Sequence, residues 1–70
     1  MVWFLERNAE LMACEVRRAD DGAWECEITH PHGDSRVLRF DHPTSFIEGY
    51  LQAQRELMHQ GWRPRTVGSL

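Results

Sequence analysis

Seventy residues carrying a net charge of −3, 41% of them hydrophobic, make one domain, and a fold of this size buries only about 60% of its unfolded surface. With two cysteines and no apolar run of signal-peptide or membrane-spanning length, the chain is expected to be soluble and cytoplasmic with free thiols. The negative balance disfavours a binder of duplex DNA or anionic membranes, whose affinity comes from neutralising phosphates. All eight basic residues are arginine, a usage that suggests a GC-rich bacterial genome.

The chain opens on Val2-Trp-Phe-Leu5, which is apolar at every position. Read as a strand hairpinned through Asn8-Ala9-Glu10, it gives the order β-β-β-β-α. Read as a helix running through Leu11, it gives α-β-β-β-α, the order of double-stranded-RNA-binding domains. Bulky Val, Trp and Phe favour the strand.

Two further strands follow in Met12–Arg18 and Trp24–Ile28, with apolar residues on even positions, and Leu38 and Phe40 continue that parity. Asp20-Asp21-Gly22 and Pro31-His32-Gly33 suit three-residue hairpin loops with glycine in the left-handed position. Such loops place Val16 opposite Cys26 and Cys26 opposite Leu38. The same register sets Arg17, Glu25 and Arg39 in one row on the opposite face, a favourable cross-strand arrangement.

A helix comes next. Ser45 with Glu48 forms a capping box, or Pro43 opens the first turn with Asp41 or His42 as the cap. Ile47, Tyr50, Leu51, Gln54, Leu57 and Met58 follow at helical spacing and are expected to cover the even side of the sheet. Gly61 and Trp62 suit a Schellman ending. The expected fold is therefore α+β over residues 1–62: an antiparallel three- or four-stranded β-meander packed on one C-terminal amphipathic α-helix. Residues 63–70 carry two breakers and no apolar period, and read as a disordered tail.

Nothing in the chain forms a catalytic, cofactor or metal signature. Cys14 and Cys26 are diagonal neighbours in the expected register, placed as small buried hydrophobes more readily than as a disulfide. Cys26 and His30 stand four apart on a strand, ~13 Å from each other, too far to share an ion, and no tight ligand pair such as CxxC is present. Glu15, Glu25 and Glu27 share a wet face with arginines, and so small a domain has little room for an enzyme pocket. The expectation is a non-enzyme without cofactors.

The first segment is the feature that bears on function. Val2 and Phe4 point one way, Trp3 and Leu5 the other, so one pair joins the core while the other lands beside Leu11 and Ala13 on a face that nothing covers. The expected contact surface is Trp3, Leu5, Leu11 and Ala13, with a second copy of the chain or an unknown protein as partner. The alternative is nucleic-acid binding through Arg17, Arg18, Arg36 and Arg39.

The ordered pattern Trp3-x-Leu5, Cys14-Glu-Val-Arg-Arg18, Asp21-Gly22, Ile28-Thr-His-Pro31 with Gly33, Arg39-Phe40 and a helix ending Gly61-Trp62 resembles a group of short bacterial proteins of unknown function. The resemblance spans residues 1–62 and implies the same meander-plus-helix fold. It brings no activity and no site residues.

Overall fold

Five antiparallel strands and one helix make up residues 1–65, which the computed structural model describes. In chain order they are β1 (Val2–Arg7), β2 (Glu10–Arg18), β3 (Trp24–Thr29), β4 (Ser35–Phe40), α1 (Pro43–His59) and β5 (Arg63–Pro64). The sheet order is β4-β3-β2-β1-β5. The first segment is thus a strand, and the meander is four-stranded.

The two glycine loops have the expected form. Ala19 and His30 donate to the carbonyls of Ala23 and Asp34 at 2.8 and 2.7 Å, and Gly22 and Gly33 take φ of 87° and 102°. That left-handed backbone is the reason a glycine stands there. Val16 lies opposite Cys26, Cys26 opposite Leu38, and Glu25 between Arg17 and Arg39.

The first hairpin departs from expectation. Its loop is two residues long, Asn8-Ala9, with φ of 50° and 67°, the both-positive pattern of a type I′ turn. Arg7 therefore pairs with Glu10 and Leu5 with Met12. Since the side-chain period of a strand is two, shortening the loop by one residue exchanges the faces of β1. Trp3 and Leu5 go to the helix side, and Val2 and Phe4 turn outward.

The core lies between the sheet and α1. Leu5, Met12, Cys14, Cys26 and Ile28 are buried beneath Leu57 and Trp62. The helix sits rotated from the expected face: Phe46, Tyr50, Ala53 and Leu57 point inward, and Ile47, Leu51 and Met58 are exposed. The cause is a contact distant in sequence. Gly49 lies so close to the Phe40 ring that any Cβ there would overlap it, which turns the glycine side of the helix toward β4. Helix α1 starts at Pro43 with His42 as N-cap and no side-chain cap, so the Pro43 start replaces the Ser45 capping box.

At the other end the Schellman pair is complete: Gly61 donates to Met58 O at 3.0 Å and Trp62 to Leu57 O at 3.1 Å. Arg7 caps this end twice. Its guanidinium lies 4.5 Å from the centre of the Trp62 ring, and its Nη1 donates to Gln60 O at 2.8 Å.

The chain stays in the sheet beyond residue 62, which corrects the expected tail. Arg63 pairs with Glu6 and Pro64 with Leu5, and Arg65 N–H donates to Phe4 O at 3.0 Å. Strand β1 would otherwise be an open edge, and an edge strand tolerates a proline that lacks an N–H. The remainder of the expected tail lies outside the described residues. No helix among the described residues is long and apolar enough to cross a membrane.

Candidate interaction surface

On the sheet face away from α1, the outer face, the sequence separates two kinds of surface. Strands β2–β4 present alternating charge there. Arg17 Nε donates to Glu25 Oε1 at 3.1 Å, and its Nη1 to Glu27 Oε1 at 2.7 Å and Glu15 Oε1 at 3.3 Å. Arg39 Nη1 donates to Glu25 Oε2 at 3.0 Å, and the Arg39 guanidinium also reaches Asp21. Hydrogen bonds from Arg17 and then Ser35 hold the Glu27 carboxyl below its usual range. The Ala23 backbone N–H, followed by the Arg39 charge, does the same for Asp21.

The β1–β2 hairpin presents the opposite chemistry. Phe4 stands across from Ala13, and Val2 and Leu11 lie on the same face by parity. Val2, Phe4 and Leu11 are 53, 38 and 40% exposed, and no described element crosses this face. At the patch margin Glu6 faces Arg65 at 4.0 Å.

Of the expected contact residues, Leu11 and Ala13 are therefore in place, and Trp3 and Leu5 are not. Leu5 is 1% exposed and Trp3 packs edge-on against Tyr50. Val2 and Phe4 take their positions. The signal that could have found them is Asn8, a residue that tolerates the left-handed region and so suits the first position of a two-residue turn.

The four arginines of the alternative reading do not converge. Arg17 and Arg39 lie on the outer face, each bound to carboxylates. Arg18 lies opposite Trp24 and Arg36 opposite Ile28, which places both on the helix side. A phosphate backbone would have to displace three glutamates from Arg17 alone, an arrangement poor for nucleic acid.

The thiols are free and buried. Cys14 faces Ile28 and Cys26 faces Val16, so they remain diagonal. Burial, with the neighbouring Cys26, pushes the Cys14 thiol up to about 11, and burial also raises Cys26. Both stay protonated at neutral pH, the wrong state for a nucleophile or a metal ligand. Among the described residues no three His, Cys, Asp or Glu side chains gather as a metal site. Compared with family models, with curated proteins and with solved structures, the chain matches none.

Proposed function

We propose that the protein is a non-enzymatic interaction module that associates with a second copy of itself through the outer face of the β1–β2 hairpin. One observation carries the reading: Val2 and Phe4 of β1 with Leu11 and Ala13 of β2 form one apolar patch, and the other side of both strands is already in the core. Strands apolar on both sides are normally buried on both sides, and contiguous exposed apolar surface marks interaction sites. The small core adds a motive, because a fold of 70 residues has little interior and pairing through the patch adds to what it buries. A two-fold axis through the patch sets like against like, the isologous contact typical of homodimers.

The test is solution mass by light scattering over a dilution series, for the native chain and for Phe4→Ser/Leu11→Ser. A native dimer that becomes a folded monomer in the double variant supports the reading. A native chain monomeric at every concentration overturns self-association.

A further inference from the structure

A second unfilled feature lies on the helix side of the sheet, at the corner that α1 leaves open. Trp3, Val16 and Trp24 form its floor, Phe46 and Tyr50 its wall, and Met1 its end, enclosing a groove of about 390 Å³. That volume lies in the range of small-ligand sites. The rings fix one another. Trp24 stacks on Phe46 at 5.4 Å, Phe46 on Tyr50 at 6.2 Å, and Trp3 meets Tyr50 edge-on at 5.3 Å. A groove built from mutually packed rings is formed before its ligand arrives, which lowers the ordering cost of binding.

Four aromatic rings alone would suit a quaternary ammonium ion. Their surroundings reverse that preference. The Arg18 guanidinium does not line the groove itself but lies against one of its walls, 4.7 Å from the centre of the Trp24 ring, so the indole most suited to a cation already has one beside it. Arg18 has no carboxylate partner among the described residues, in contrast to Arg17 and Arg39. Its Nε donates to Gly22 O at 3.3 Å, which leaves the two terminal nitrogens for another acceptor. Helix α1 begins one turn before Phe46 with no side-chain cap and no acidic residue in its first turn. The N–H groups of Thr44 and Ser45 there have no intrahelical acceptor and add positive potential. No carboxylate lines the groove.

We propose that the groove binds a small amphiphilic carboxylate, with its apolar body on the rings and its anionic head toward Arg18. The claim is independent of self-association, because the groove and the outer patch lie on opposite faces of the sheet.

The test compares octanoate, octanol and octyltrimethylammonium, each below its aggregation concentration. Indole fluorescence reports on Trp3 and Trp24 over the constant signal of Trp62, which lies buried away from the groove, and calorimetry gives the affinity. Octanoate is expected to bind about tenfold more tightly than octanol, as one charge-assisted contact provides, and the cation more weakly than either. Arg18→Gln should bring octanoate down to the octanol level, and Val16→Trp, which fills the floor, should remove binding of both. If Val16→Trp fails to fold, octanoate-induced NMR shifts at the Val16 methyls and Phe46 ring serve in its place. Equal binding of all three probes, no binding at millimolar octanoate, an unchanged Arg18→Gln affinity, or shifts confined to Val2 and Leu11 would each overturn the proposal.

Discussion

The two halves of the outer sheet face meet along β2 yet answer to different physics. On the β2–β4 half the prominent charged side chains have their partners within the chain: Arg17 holds three glutamates, and Arg39 holds Glu25 and Asp21, with Val37, opposite Glu27, a single exposed apolar residue among them. On the β1–β2 half, Val2, Phe4 and Leu11 stand exposed with no partner among the described residues. The outer face thus carries paired charge on one half and exposed apolar side chains on the other, the half through which association is proposed. The contrast locates the proposed contact more sharply than composition does, since 41% hydrophobic content is ordinary for a globular domain.

The sharpest way to break the comparison is to cut on the two sides of β1 separately. Leu5→Ala empties a buried core position and is expected to cost about 2–5 kcal/mol in urea unfolding, much of the stability of so small a domain. Phe4→Ser, one residue earlier, is expected to cost only about 1 kcal/mol at low protein concentration. A larger loss for Phe4→Ser than for Leu5→Ala would mean that β1 has the other register.

A smaller effect concerns the turn that sets that register. Ala9 takes φ of 67°, a conformation that L-residues avoid and glycine accepts. Ala9→Gly is therefore expected to stabilise the fold by about 0.5–1 kcal/mol, after the entropy glycine adds to the unfolded chain. Thermal unfolding checks it, and a lower melting temperature would mean that the turn is not the two-residue type I′.

The smallest effect belongs to the charged half. The carboxyls of Glu27 and Asp21 are held below their ordinary values in the folded chain. A depressed folded value gives stability that is full above the unfolded value and is lost as pH falls through the folded one. The melting temperature should therefore drop on acidification from about pH 4.5, the ordinary Glu value, downward. Glu27→Gln should make that drop shallower, and a parallel drop in the variant would show that Arg17 does not hold Glu27 in solution. These pairs lie at the sheet surface in contact with water, so added salt should weaken the effect.

Legibility in the sequence follows the range of the interaction. The Asp20-Asp21-Gly22 and Pro31-His32-Gly33 loops, the register of β2–β4 and the Gly61-Trp62 ending were readable, because each rests on residues a few places apart with local backbone demands. Three features were not. The first turn uses Ala9 against its conformational preference, so the local pattern pointed to a longer loop. The rotation of α1 depends on Gly49 meeting Phe40, a contact between elements. Strand β5 contains Pro64, which reads as a breaker, and its pairing comes from the open edge that β1 provides. For the candidate site the consequence was specific. Leu11 and Ala13 lie on the outer face as expected, while Val2 and Phe4 stand there in place of Trp3 and Leu5.

The two-residue turn also bears on how such a surface could change over generations. Every position from Val2 to Leu5 is apolar, so β1 would bury an apolar pair in either phase. The loop after Arg7 therefore acts as a selector between two exteriors, one of phenyl and valine, the other of indole and leucine. A single inserted codon after Ala9 would exchange them without altering one residue of the strand. Insertion and deletion, ordinarily ruinous within a meander, are here a route by which one hairpin could present a new face to a different partner.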